Sequence, residues 1–167
     1  MNPIPVENRV TTQPFVVGGC IIKKGDKFLL VQEKIAEPGS WNQPAGWIDL
    51  GEDIVEGAKR EAEEETGLDL KILGLLGIYT NLKKETINPK IGKEFKHAVK
   101  FILAAEALND EIKFDPEELL DAKWYTLDEI KNITNLRDKN IIDEVKDYID
   151  GKIYPLEVIK KICNQLD

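Results

Sequence analysis

Residues Gly46 to Leu68 read GWIDLGEDIVEGAKREAEEETGL and leave little choice of conformation. Asp53 stands where it can cap a helix running to Thr66, and Gly67 suits the left-handed position that ends one. The helix closes on three consecutive glutamates, Glu63, Glu64 and Glu65. A helix C-terminus already carries partial negative charge, so each acid in the last turn costs about 0.3–1 kcal/mol. At 100° per residue, Glu61, Glu64 and Glu65 fall within roughly one 100° arc, while Glu63 points elsewhere. Gly57 lies one turn before Glu61 on that face. Val55, Ala58 and Ala62 form a narrow apolar edge beside it, so the helix can pack on a sheet and hold its acids at the border of a cleft. Arg60, four residues after Glu56, is placed to tie back to a carboxylate and aim it.

A charge run by itself reads as a solvated face. Same-face carboxylates on a C-terminal turn read differently, because they destabilise a bare helix and a bound Mg²⁺ or Mn²⁺ turns their repulsion into coordination; hard cations prefer carboxylate and carbonyl oxygens. Magnesium also keeps several waters and joins protein carboxylates to substrate phosphates. The pattern points to phosphate chemistry.

Around this helix the chain reads as one domain. Phe15 to Ile22 is β-rich and turns through Lys23-Lys24-Gly25-Asp26 into Lys27 to Gln32, a hairpin. Pro38-Gly39 and Pro44 punctuate a loop. Lys71 to Tyr79 and Ala98 to Glu106 read as strands, with the polar stretch Leu82 to Phe95, containing Asn88-Pro89, as a loop between them. A short strand near Lys123 to Tyr125 precedes three helical patterns: Leu127 to Asn132, Lys139 to Ile149, and Leu156 to Leu166 after Pro155. Strands on both sides of one early helix predict an α+β or mixed α/β/α layout.

The 167 residues suffice to bury a core. No apolar run is long enough to span a bilayer, and residues 1–13 have no basic start followed by an apolar segment, which predicts a short arm and a cytoplasmic protein. The net charge of −8 is concentrated: eight acids between Gly46 and Gly67 against Lys59 and Arg60 supply −6 of it. Such a balance disfavours a nucleic acid polymer as partner. Cys20 and Cys163 have no ligand-spaced partners and read as structural thiols. Monomer and homodimer both stay open.

Gly46, Glu52 and the run Arg60-Glu61-Ala62-Glu63-Glu64-Glu65-Thr66-Gly67-Leu68 match the Nudix box, G-x5-E-x7-R-E-U-x-E-E-x-G-U, with Ala62 the one soft match. The chain thus resembles the Nudix hydrolases. That resemblance implies an α/β/α sandwich around a mixed sheet, with the box as a loop-helix-loop that binds divalent cations and a diphosphate. It makes Glu61 and Glu65 direct metal ligands, Glu64 a third ligand or one acting through water, and Ala45 a ligand through its backbone carbonyl. Arg60 orients a glutamate, Glu52 serves the loop and the helix start, and Gly46 allows the sharp bend and close approach of phosphate.

The implied reaction is attack by a metal-activated water on a phosphorus of a nucleoside di- or triphosphate or related pyrophosphate. The base is open between Glu61 and an acid outside the box. Glu118, six residues before Trp124, is placed for metal binding or simply begins an acidic turn, and Glu117 is its neighbour. WNQPAG (Trp41 to Gly46), NLR (Asn135 to Arg137) and YPLE (Tyr154 to Glu157) resemble the phosphatase branch of the NudJ type, which acts on nucleoside tri- and diphosphates and a thiamine-precursor pyrophosphate. The Leu82 to Phe95 segment is longer than that branch leads one to expect, which leaves the substrate open.

Lys83, Lys84, Lys90, Lys93, Lys96 and Lys100 form a basic patch, read either as a phosphate clamp or as ordinary loop charge. Tyr79, Phe95 and Trp47 read as base-stacking rings or as core. His97 reads as structural or as a polar pocket wall. Two other functions are compatible with the box: cleavage of ADP-ribose or a dinucleoside polyphosphate between internal phosphates, and nucleotide sensing without turnover. The sensor is disfavoured by the complete set of acids and the lack of length for a basic winged helix.

Overall fold

The computed structural model describes residues 14–35, 37–88 and 92–162, and the side chains of 83–88 and 92–96 fall outside the description. The expected arm at 1–13 and Cys163 therefore lie outside the described residues. Two faces of a single sheet organise everything else.

The strands are β1 (Phe15–Lys24), β2 (Lys27–Glu33), β3 (Trp41–Asn42), β4 (Ala45–Trp47), β5 (Leu70–Asn88), β6 (Gly92–Ala107) and β7 (Leu119–Thr126). They join in the order β3-β2-β1-β6-β5, with β4 on β1 and β7 on β2. The sheet is mixed: β1 runs parallel to β6 and antiparallel to β2 and β4. Helix α1 (Ile54–Thr66) covers one face; α2 (Leu127–Lys131) and α3 (Asn140–Ile149) cover the other. This is the expected α/β/α sandwich.

Strand alternation sorts the apolar residues between two cores. Cys20, Ile22, Leu29 and Leu103 face α1 and meet Ala58 and Ala62, all of them buried. Ile21, Phe28, Leu30 and Ile102 face the other way and meet Ile141, Val145 and Tyr148 of α3. The small residues of α1 let it lie very close to the sheet. A Cβ on Gly18 of β1 would come within 2.8 Å of the Ala58 backbone, so a bulkier residue in place of Ala58 or Ala62 would push the helix and its acids away. Cys20 is sealed here, its Sγ donating to the Ala58 carbonyl at 3.6 Å. Burial pushes its thiol up to about 12, as an inert structural cysteine requires.

Helix α1 begins and ends where its sequence predicts. Asp53 accepts from the backbone N–H groups of Val55 (3.0 Å) and Glu56 (3.4 Å), and Gly67 takes φ +66° and donates to the Glu63 carbonyl.

Three expectations need correction. Leu82 to Phe95 is not a loop: β5 and β6 continue through it, pairing Lys83 with Lys96, Thr86 with Glu94 and Asn88 with Gly92. Main-chain ladders do not depend on side-chain polarity, so a polar segment beside a partner strand stays a strand; residues 89–91 of it lie outside the described residues. The pattern from Leu156 gives a single 3₁₀ turn, Leu156–Val158, after which Ile159 is extended (φ −96°, ψ 104°). Tyr154 pairs with Leu75 by two backbone hydrogen bonds of 2.8 Å, so the YPLE segment enters as an isolated bridge and not as a helix start. Lys100, grouped by sequence with the loop lysines, is buried beneath α3 beside Asp138 (3.6 Å) and Glu144 (3.8 Å).

Candidate active site

The turn between β3 and α1 wraps the C-terminal half of α1, and Arg60 is its hub. The guanidinium donates to Glu52 twice (2.7 and 2.9 Å), to Glu61 (2.9 Å), to Glu64 (3.0 Å) and to the Trp47 carbonyl (3.4 Å). This fork geometry is one that lysine cannot reproduce. The Arg60 bond holds the Glu52 carboxyl below the usual carboxylate range, and Glu52 also accepts from the Asp49 N–H at 3.0 Å, which fixes the loop. Glu56, four residues before Arg60, is exposed. Glu52 takes the role of anchoring Arg60 because the loop folds it back over Gly57, where an added Cβ would meet the Glu52 carboxylate at 2.6 Å.

Gly46 backs onto Glu61: a Cβ there would overlap the Glu61 carboxylate. One residue earlier, the Ala45 N–H donates to Glu65 at 2.9 Å. Glu63, off this face as expected, accepts from the Leu70 N–H at 2.9 Å and pairs with Lys59.

Glu65 carries the strongest electrostatic signature of the site. Loss of solvent pushes its carboxyl well above the usual range, with the charges of Glu33, Glu61 and Glu118 adding to the shift and the Ala45 N–H opposing it. Three other acids thus act on Glu65. Glu118 reaches the group because β7 pairs Leu119 with Glu33; Glu117 turns aside to Lys34 at 3.6 Å.

A model of the Nudix domain family matches residues 12–145. The phosphatase NudJ of Escherichia coli strain K12 is 30% identical over 147 residues, covering 88% of this chain and 91% of its own. Among solved structures, a Nudix hydrolase from Nitrosomonas europaea superposes with a TM-score of 0.70 at 29% identity, covering 90% of this chain and 98% of that one. A MutT Nudix hydrolase from Burkholderia pseudomallei gives 0.66 at 25% identity, over 81% and 98%.

The chain belongs to the Nudix hydrolase family. It is a hydrolase of pyrophosphate-containing substrates.

Within the Nudix box the expected ligands stand apart. Glu61 and Glu65 flank the Ala45-Gly46 backbone, whereas Glu64 is largely exposed, with 63% of its side chain open, and bound to Arg60. Among the described residues no three acidic, histidine or cysteine side chains are close enough together to hold an ion as placed. The donor set nevertheless fits a hard divalent cation: carboxylate oxygens from two helix positions, like-charge repulsion at Glu65, and a glycine that lets the Glu61 carboxylate lie against the backbone.

Two residues outside the box belong to the same site. Glu33, 8% exposed at the end of β2, is the largest charge acting on Glu65. Arg137 donates to Glu33 at 2.6 Å and faces Glu37 at 3.7 Å. The sequence signal for Glu33 was available: KFLLVQE runs apolar into an acid at an inward-facing position. Arg137 lies in the NLR motif, and the structure shows what that motif does. Trp41 donates to the Asn135 carbonyl (3.0 Å) and Arg137 to the Trp41 carbonyl (2.9 Å), so NLR and WNQPAG are stitched together beside the acids. Of the aromatic candidates, Trp47 is stacked on Phe15 at 4.3 Å, Tyr79 packs at the edge of the α3-side core, and Phe95 lies outside the described side chains. His97 sits within β6 opposite Leu82.

Proposed function

We propose that the protein hydrolyses a phosphoanhydride bond of a nucleoside di- or triphosphate, or of a related pyrophosphate, in a reaction that depends on Mg²⁺, with Mn²⁺ as a substitute. The observation that carries this reading is that two carboxylates of α1 meet one short stretch of backbone, Glu65 bonded to the Ala45 N–H at 2.9 Å and Glu61 lying against Gly46, an arrangement of like charges that a divalent cation relieves.

Glu61 and Glu65 would hold the cation, with Glu64, Glu118 and the Ala45 carbonyl as further oxygen donors. When bound, such an ion lowers the pKa of a coordinated water and neutralises charge on the bridging oxygen. The protein's own groups supply the rest. Arg60 holds Glu61 and Glu64 in reach of the site, and Gly46 leaves room for the Glu61 carboxylate against the backbone. Glu61 or an acid outside the box accepts the proton of the attacking water.

A phosphate-release screen over nucleotides and pyrophosphorylated metabolites, with magnesium and with manganese, tests the reading. Free phosphate as product supports the phosphatase activity borne by the NudJ name. AMP plus a sugar phosphate would move the cleavage to an internal bond, as in ADP-ribose or dinucleoside polyphosphate hydrolysis. Binding with no product of either kind would leave a nucleotide sensor.

A further inference from the structure

The two edges of the sheet are defended unequally. At one edge β7 carries Asp121 and Lys123 in an ion pair, and charges of this kind keep an edge strand from pairing with another molecule. At the other, β5 has no charged residue between Lys71 and Lys83, in a chain with 32% charged residues. Uncharged runs elsewhere, FVVGGCII of β1 and FILAA of β6, lie in strands with neighbours on both sides. Strand β5 therefore has the composition of a central strand and the position of an edge.

Among the described residues, the open side of β5 is met at Leu75 by Tyr154 and by no other strand. Irregularities interrupt its ladder with β6 between Ile72 and Gly77 and again between Lys83 and Thr86, whereas Gly77 to Lys83 runs in unbroken register. Thr80 is the middle of that regular stretch. Ile78 is paired with Phe101, which packs on the α1-side core, so Ile78, Thr80 and Leu82 form one row on the α1 face of the sheet. All three are exposed, Ile78 by 56% and Leu82 by 68%. Tyr79 and Asn81 take the other face, where Tyr79 packs against the α3-side core and Asn81 donates to Asp138 at 3.0 Å.

We infer that this edge pairs with a second copy of the chain: two β5 strands run antiparallel about a two-fold axis at Thr80 and join the two sheets into one. An isologous contact requires each residue to suit its mate. With the axis at Thr80, Ile78 lies opposite the second copy's Leu82 and Leu82 opposite its Ile78, so exposed apolar side chains meet across the strands. Moving the axis one residue, to Asn81, would set Ile78 against Lys84; the apolar pattern fixes the register. The charges are compatible as well. Lys83, the one charged residue of the regular stretch, falls opposite Gly77. Gly46, Gly18, Phe101 and Ile78 form a single row from the acidic site to the edge. That row is about 14 Å long, so the two acidic sites stand about 30 Å apart, beyond the ~10 Å Debye length. The paired stretch is about 24 Å long and, with side chains on both faces, about 20 Å wide, which covers roughly 500 Å² per copy. A total of about 1,000 Å² is the lower limit for a specific interface, so the dimer is reversible.

The experiment is sedimentation of the full chain from about 1 µM to about 1 mM. The mass should rise from 18.9 kDa toward twice that value, half-complete at about 10–100 µM. Ile78→Lys and Leu82→Lys should each weaken association at least about 10-fold, with the circular dichroism spectrum of the unaltered protein. In a Cys163→Ser background, Thr80→Cys should cross-link two copies on mild oxidation, because each Thr80 faces its mate at disulfide range. Leu120→Cys, half exposed on β7, should not. A monomer up to the highest concentration, association that both lysine variants leave intact, or cross-linking through Leu120→Cys in place of Thr80→Cys overturns the inference. The cysteine pair decides the matter even where a lysine variant fails to fold.

Discussion

Arg60 holds one guanidinium against three carboxylates, Glu52, Glu61 and Glu64, while Glu65 is left to a single backbone N–H and three unfriendly charges. The two glutamates should therefore respond differently to neutralisation. Glu65→Gln is expected to cut magnesium-dependent turnover by about 100-fold or more, and to raise the melting temperature of the metal-free protein, because the variant removes a charge the fold disfavours. Steady-state kinetics and a thermal melt in EDTA check the two halves; an active variant would remove Glu65 from the site. Gly46→Ala tests the space before Glu61. The added methyl has no room unless the Glu61 carboxylate moves away, so activity should fall about 10- to 100-fold with the circular dichroism spectrum intact.

At the scale of elements, α1 is fastened at both ends and α3 carries a buried acid. Gly67→Ala puts a side chain into a left-handed position, and its Cβ would lie 2.7 Å from the Lys113 backbone. A loss of at least ~1 kcal/mol in a denaturant titration is expected. Glu144 links α3 to the sheet and makes stability pH-dependent. Burial lifts its carboxyl from the ordinary 4.5 to about 7, so the folded state holds the proton more tightly. The resulting stability is fully present below about 4.5 and is lost as pH rises through about 7. Over that window Glu144→Gln should remove a slope worth on the order of 2–3 kcal/mol, measured by denaturant unfolding at a series of pH values.

For the whole molecule, the sheet's pairing order decides where the charges meet. Antiparallel β2 and β7 bring Glu33 beside Leu119 and hence Glu118, and the β1–β4 pairing sets Gly46 over α1. The segment from Gly46 to Gly67 supplies −6 of a chain-wide charge of −8. A cation that binds only the folded form stabilises it by mass action. Magnesium should raise the melting temperature progressively over a micromolar to millimolar titration; no shift across that range would count against a metal in the Nudix box. No helix among the described residues is long and apolar enough to cross a membrane.

Local rules were enough for α1, because a cap, a period and a left-handed glycine are all encoded within a few residues of Asp53 to Gly67. The β1–β2 hairpin was legible for the same reason, its turn being closed by Gly25. The box itself makes Arg60, Glu61, Glu64 and Glu65 the candidates for the site. What the sequence left undetermined depended on partners distant along the chain. The polar run after Leu82 is strand only because β6 lies beside it, and the helical pattern after Pro155 yields to a bridge with Leu75. Glu33, Arg137, Lys100 and Glu144 acquire their roles from groups far along the chain, such as the 104 positions separating Arg137 from Glu33. Hydrogen-bond ladders and buried charges answer to whatever tertiary packing sets against them, and no local pattern records that.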